Sequence, residues 1–181
     1  YAATKKSNEL MAYTYSYLYN IPTTGLRFFT VYGPMGRPDM AYFGFTNKYF
    51  KGESIRIFNN GDFEQDIYRD FTYIDDIVEG IVRLLNNPPE KTDESAAHKV
   101  FNIGNNNPEK LMTFIDSLEK ALSNVLGRQV VFEKIFEPMI PGDVPATYAS
   151  TKLLQEAVGF KPETSIEEGL RKFTEWYVGY Y

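Results

Sequence analysis

Thr24-Gly25-Leu26-Arg27-Phe28-Phe29-Thr30-Val31-Tyr32-Gly33-Pro34 is the stretch on which the fold turns. It predicts a strand with both faces apolar, which belongs in a parallel sheet covered on both sides. Gly33-Pro34 ends the strand, and Gly36, Arg37, Pro38 and Asp39 continue as a loop. In α/β proteins, the loop after the C-terminal end of a parallel strand is where ligands bind.

Upstream, residues 1 to 20 predict a helix stopped by Asn20 and Pro22. Met11, Tyr15 and Leu18 mark one face, and Tyr13 with Tyr17 extends the aromatic surface, to be covered by a sheet or by a second subunit. Downstream, the pattern predicts a helix over Met40 to Phe50, a strand over Ser54 to Asn59 and a polar turn through Asp66. A further strand over Arg69 to Ile74 leads to a helix capped by Asp75 or Asp76 and stopped by Asn86-Asn87-Pro88-Pro89. Asn86 to Lys99 reads as a polar loop and Lys99 to Ile103 as a short strand. Leu111 to Leu126 is an amphipathic helix with Gly127 as its stop. Gln129 to Phe136 reads as a strand, Pro138 to Pro145 as a loop, and Ser150 to Val158 and Ser165 to about Tyr177 as helices. The last opens on Ser165-Ile166-Glu167-Glu168, a capping-box pattern. Strands alternating with helices place the chain in the α/β or α+β class with parallel strands.

Composition narrows the function classes. The chain has 181 residues, 43% hydrophobic and 24% charged, which suits one ordinary globular domain. It has no cysteine, so neither disulfides nor thiolate metal sites are possible, and a reducing compartment is compatible. The one histidine, His98, excludes a multi-histidine metal centre and reads as a solvated loop residue. A net charge of −5 argues against nucleic acid as a partner. No apolar run approaches the roughly 20 residues of a membrane span.

Chemistry is suggested first by Tyr1-Ala2-Ala3-Thr4-Lys5, in which helical spacing puts a phenol and an ammonium on one face. Such a pair can hold a tyrosine partly as phenolate. Bringing a phenol from its usual pKa of about 10 to near 7 takes roughly 4 kcal/mol, which a lysine and a cationic cofactor can supply. The pair stands at the start of the chain, so an upstream half is expected to precede it. No Gly-x-x-Gly-x-x-Gly or Gly-x-Gly-x-x-Gly run occurs, so no dinucleotide phosphate loop can be assigned.

Further motifs follow in order: Leu26-Arg27-Phe28-Phe29-Thr30-Val31-Tyr32-Gly33-Pro34, Gly36-Arg37-Pro38-Asp39-Met40, Arg69-Asp70-Phe71-Thr72-Tyr73-Ile74-Asp75-Asp76, Asn102-Ile103-Gly104 and Pro141-Gly142-Asp143-Val144-Pro145-Ala146-Thr147. With Tyr1-Ala2-Ala3-Thr4-Lys5-Lys6, the series resembles the second half of an extended short-chain dehydrogenase/reductase of the NAD-dependent epimerase/dehydratase family, and within it most nearly the UDP-glucuronate 4-epimerases. The resemblance implies an α/β fold: the C-terminal part of an NAD-binding Rossmann-like unit with a smaller substrate-binding α/β region. Residues 1–35 would finish the Rossmann domain, residues 36–181 would mainly form the substrate-binding domain, and residues 99–104 would return to the Rossmann sheet.

The same resemblance implies a cytoplasmic, homodimeric enzyme that inverts C4 of UDP-glucuronate to UDP-galacturonate by transient oxidation with NAD+. Tyr1 would be the base for the sugar 4-hydroxyl, and Lys5 would bond the nicotinamide ribose and lower the tyrosine pKa. The 4-keto intermediate would rotate and take the hydride back on its other face. Thr30, where members acting on neutral hexoses often carry asparagine, would donate to the C6 carboxylate. Arg37 and Arg69 would approach the UDP portion, Phe58 the uracil and Asp143 the ribose hydroxyls. Paired, charge-assisted bonds suit arginine to phosphate. The alternatives are surface salt bridging for either arginine, a strand-end backbone bond for Thr30, ordinary core for Phe58 and a turn role for Asp143. The second pyrophosphate arginine of the galactose epimerases is not matched, since Met139, Ile140 and Pro141 stand there. The turn through Glu64, Gln65, Asp66 and Ile67 is longer than the family pattern. A 4,6-dehydratase or decarboxylase on the same scaffold, or a non-catalytic nucleotide-sugar-binding module, are the competing functions. Without the upstream half, the 181-residue chain is expected to be inactive.

Overall fold

The computed structural model describes residues 1–59, 66–139 and 142–181. The expectations on residues 60–65 of the polar turn, and on Ile140 and Pro141, lie outside them. The described elements run α1 (Ala2–Tyr19), β1 (Thr23–Phe28), β2 (Thr30–Tyr32), α2 (Ala41–Lys51), β3 (Ile55–Ile57), β4 (Tyr68–Tyr73), α3 (Ile74–Leu85), β5 (His98–Ile103), β6 (Pro108–Lys110), α4 (Leu111–Leu126), β7 (Lys134–Phe136), α5 (Lys152–Val158) and α6 (Ile166–Tyr180).

The expected strand over residues 24–32 is two strands. β1 pairs in parallel with β5 from Thr23–His98 to Phe28–Ile103, and β2 pairs in parallel with β4 from Thr30–Phe71 to Tyr32–Tyr73. The chain changes neighbours at Phe29, so Thr30 opens a new ladder and does not end the first. β3 and β7 form a third parallel pair. β6, antiparallel to β4, has no counterpart in the sequence reading, because Pro108-Glu109-Lys110 carries no apolar alternation.

Two hydrophobic clusters flank these ladders. The larger gathers Tyr32, Phe43, Phe71, Phe114, Leu118 and Phe173 between β2, β4 and the helices α2, α4 and α6. The smaller joins Ile77, Leu84, Phe101, Ile103 and Leu154 between β5, α3 and α5. Ile74, at the start of α3, packs against both.

Helix ends explain several departures from the sequence reading. Ser165 caps α6 by accepting from the Glu168 amide at 3.2 Å, as the capping-box pattern requires. α3 instead follows β4 directly, with Tyr73 at its N-cap and Asp75 and Asp76 inside the first turn. Their charge still suits the positive end of the helix. Asp76 does not cap its own helix but accepts from the Thr164 amide at 3.0 Å, tying down the approach to α6. The buried Asp66 carboxylate accepts from Met112 at 3.1 Å and so serves α4 from a distance in sequence.

Residues 129–133 are not the strand expected of them. Ser123 and Glu119 of α4 accept from the Val130 and Phe132 amides, so helix side chains take the donors that a ladder would use. His98 is not a solvated loop residue: it opens β5, is bonded through Nδ1 to the Thr23 hydroxyl at 2.7 Å, and meets the Tyr13 ring edge-on.

Candidate functional site

Tyr1 is the N-cap residue of α1 and is 93% exposed. One turn along, the Lys5 ammonium lies 5.4 Å from the centre of that ring, so the spacing does bring phenol and ammonium together. Two cavities meet at Tyr1. One, of about 780 Å3, runs between α1 and β1 and is lined by Lys5, Leu26, Arg27 and Phe28. The other, of about 800 Å3, is lined by Phe29, the Gly33–Arg37 loop, Tyr42 and Asp75. Both volumes lie within the range of ordinary small-molecule sites.

Arg37 comes to the second cavity on the loop that follows β2. Its guanidinium forms a fork with Asp39, at 3.0 and 2.8 Å, and both side chains are largely exposed. That pairing raises the arginine pKa and lowers that of Asp39. An exposed pair of this kind exchanges readily with a ligand anion, because its net stabilisation in water is small.

Arg69 lies at the opposite end of the β2–β4 ladder from that loop. It donates to the Tyr68 carbonyl at 2.9 Å and to the Asp143 carboxylate at 2.9 Å, and its side chain is only 16% exposed. The backbone makes this meeting possible, since Tyr68 bonds both Pro145 and Thr147 and so draws the Asp143 segment alongside β4. Thr30 is half-buried and stands opposite Phe71, two residues from Arg69, so alternation puts Thr30 and Arg69 on one face of the ladder. Phe58, half-buried, follows β3. Neither Thr30, Phe58, Arg69 nor Asp143 lines the two cavities that meet at Tyr1.

Asp70 is the residue whose importance the motif reading missed. Its side chain is fully buried, accepts from the amides of Asn105, Asn106 and Ala149 at 2.7, 3.0 and 2.9 Å, and also meets the Thr72 hydroxyl. Three segments are joined there: β4 beside Arg69, the turn after β5, and the stretch that leads from Asp143 to α5. A carboxylate taken out of water must find such donors. The sequence signal was an acidic residue within the expected strand Arg69 to Ile74.

Among the described residues, no group of histidine, aspartate and glutamate side chains could hold a metal ion. No described helix is long and apolar enough to cross a membrane.

Comparison with known proteins supplies the family. Residues 1–104 match the NAD dependent epimerase/dehydratase family. Protein CapI of Staphylococcus aureus is 50% identical over 192 residues, which cover 100% of this chain and 54% of CapI. A probable UDP-glucuronate 4-epimerase of Rhizobium meliloti is 49% identical over 189 residues, covering 98% of this chain and 52% of that protein. The crystal structure of UDP-glucuronic acid 4-epimerase from Bacillus cereus, in complex with UDP-glucuronic acid and NAD, superposes with a TM-score of 0.78 at 29% identity, over 99% of this chain and 52% of that one. The chain thus spans about half the length of the relatives it matches. With more than half of its length matched, it belongs to the NAD dependent epimerase/dehydratase family.

Proposed function

We propose that this chain is the carboxyl-terminal half of an NAD-dependent nucleotide-sugar 4-epimerase that interconverts UDP-glucuronate and UDP-galacturonate. The observation that carries the reading is the meeting of Tyr1, with Lys5 over its ring, and the Arg37 loop around one cavity. The naming of the Rhizobium meliloti and Bacillus cereus proteins supports the sugar assignment.

In this reading Tyr1 takes the proton of the sugar 4-hydroxyl and later returns it, a step typically worth 10²- to 10⁴-fold. Lys5 bonds a ribose hydroxyl and favours the phenolate. The cleft between α1 and β1 fits the nicotinamide end of NAD+, since Leu26 and Phe28 offer apolar wall beside the Lys5 ammonium. The chemistry NAD+ supplies there is reversible acceptance of the C4 hydride. Thr30 donates to the C6 carboxylate. Arg37 leaves Asp39 for the UDP portion, and Arg69 approaches it from the other end of the ladder. Asp143 holds Arg69 with one oxygen and meets the ribose hydroxyls with the other, while Phe58 flanks the uracil.

The domain reading follows: residues 1–35 with the β5 strand complete a Rossmann sheet, supported by the parallel β1–β5 pairing, and residues 36–181 mainly bind substrate. The exposed tyrosines of α1 suit an interface, either with the amino-terminal half or with a second subunit of a cytoplasmic homodimer.

Incubation of the full-length protein with UDP-glucuronate, followed by chromatography, tests the reading: UDP-galacturonate is the expected product. A pentose product from UDP-glucuronate would overturn it, as would a 4-keto-6-deoxy product when UDP-glucose is supplied instead. The 181-residue chain alone is expected to show no turnover and no NAD+ binding by calorimetry. The pyrophosphate is normally held by glycine amides at a helix N-terminus, and the sequence has no such run. Micromolar binding by the chain would contradict this.

A further inference from the structure

We infer that the Tyr42 phenol is the post on which the Gly33–Asp39 loop is built, so that Tyr42 and Gly36 together set where Arg37 meets an anionic substrate. The inference rests on the function proposed above and concerns a residue that neither the motif series nor the resemblance singles out.

Tyr42 lies in the first turn of α2 and is 3% exposed. Its ring meets Phe173 edge-on at 4.8 Å and Tyr32 at 6.3 Å, so the phenol is anchored in the larger aromatic cluster. From there its hydroxyl reaches up into the loop and donates to the Gly33 carbonyl at 3.3 Å. Burial raises its pKa, which keeps the group a donor. The loop closes over the ring so tightly that a Cβ on Gly36 would stand 1.7 Å from the Tyr42 oxygen and 2.8 Å from Cζ. No side chain fits at Gly36 while Tyr42 is in place.

Further contacts fix the same loop. Gly33 has φ +142°, and a Cβ there would come within 2.6 Å of Ile74 Cγ2. Met35 adopts φ 56°, and the Arg37 carbonyl accepts from the Met40 amide at 3.1 Å. The backbone of Arg37 is therefore held on both sides, whereas among the described residues its exposed guanidinium is tied only to Asp39 of its own loop and the Met40 beside it. Gly33, Gly36, Arg37, Tyr42 and Tyr1 line one cavity, so a shift of the loop moves the guanidinium relative to the Tyr1 phenol. Tyr42 is a positioning residue. It acts through Arg37 and need not touch substrate.

The test uses Gly36→Ala, Tyr42→Leu and the double variant in the full-length enzyme, with UDP-glucuronate as substrate. Gly36→Ala drives a methyl group into the phenol. It is expected to raise KM at least tenfold while kcat stays within about threefold. In the double variant, where leucine leaves room, KM should return to within about threefold of Tyr42→Leu alone. A Gly36→Ala enzyme with unchanged KM, or a double variant that multiplies the two single losses, would overturn the inference. The same three variants of the full-length protein give a second reading by thermal melting. Strong non-additivity is expected for groups in contact, and additive shifts would overturn the post without reference to catalysis. Absence of turnover in the wild-type enzyme would instead overturn the proposed function. Non-additive melting in that case would retain Tyr42 as the loop's post and remove only the role assigned to Arg37.

Discussion

Around the β2–β4 ladder, Phe71 and Phe114 stack face to face at 3.9 Å, and Tyr32, Phe43 and Phe173 close the space about them. Across the molecule, α1 buries only Ser16 and leaves Leu10, Met11, Tyr17 and Leu18 more than half exposed. What fastens α1 is largely polar. Glu9 accepts both arms of the Arg27 guanidinium at 2.6 and 2.7 Å, and the Tyr13 ring leans on His98. Arg69 and Asp143, proposed to meet the substrate's phosphates and ribose, stand on the closed side, while the exposed Arg37 shares a cavity with the phenol proposed as base. The difference separates two regions: a packed core that fixes Arg69 and Asp143, and a helix whose apolar face is left exposed.

The largest effect expected from this contrast is in stability. Phe114→Ala empties a fully buried position and should destabilise the chain by about 3–5 kcal/mol, whereas Tyr17→Ala on α1 should stay within about 0.5 kcal/mol. Urea unfolding of the isolated chain measures both, and equal losses would erase the distinction between the regions.

A smaller effect bears on the closed side. Thr30→Val keeps the shape of the side chain and removes its hydroxyl. In the full-length enzyme, kcat/KM for UDP-glucuronate should fall about 10- to 100-fold, or roughly 1.4–2.8 kcal/mol, as expected for loss of a charge-assisted hydrogen bond. UDP-glucose, without a carboxylate, should change much less. Equal losses for both sugars would reduce Thr30 to a supporting role at the start of β2.

The smallest effect concerns the hold on α1. Pairing with Arg27, and then with Lys6, lowers the Glu9 pKa from 4.5 to about 2. A depressed carboxylate contributes stability above its unfolded pKa and loses it as pH falls through the folded value. The contribution of Glu9 should therefore be whole above pH 4.5 and fade toward pH 2. Amide exchange of α1 in wild type and Glu9→Gln reads this directly: the two should differ at pH 6 and converge near pH 2. A difference that persists in acid would point to packing as the source.

How much of this was legible beforehand differed by element. α4 was read to both ends, because its apolar period and Gly127 lie in one continuous stretch. The break at Phe29 was not, since a change of sheet neighbour leaves the alternation of side chains untouched. Gln129 to Glu133 carries strand-like residues, yet its amides are satisfied by side chains from α4, which no local pattern reveals. Helical spacing alone brings the Tyr1 ring and the Lys5 ammonium together, whereas the roles proposed for them rest on the resemblance of the whole motif series. The Arg69–Asp143 pair spans 74 positions and Asp70 gathers donors from two other segments, so both required the fold. Likewise Gly36 reads as an ordinary loop glycine until Tyr42 is found beneath it.

The proposal that Tyr1 is the base meets its most direct test in Tyr1→Phe of the full-length enzyme, assayed for turnover and for UDP-glucuronate binding together. The substitution removes one oxygen from an exposed N-cap residue that makes no side-chain cap bond, so folding should be unaffected. Loss of the proton acceptor should lower kcat by about 10²- to 10⁴-fold while Kd for the sugar nucleotide stays within a few-fold. Turnover near the wild-type rate with binding intact would contradict the account.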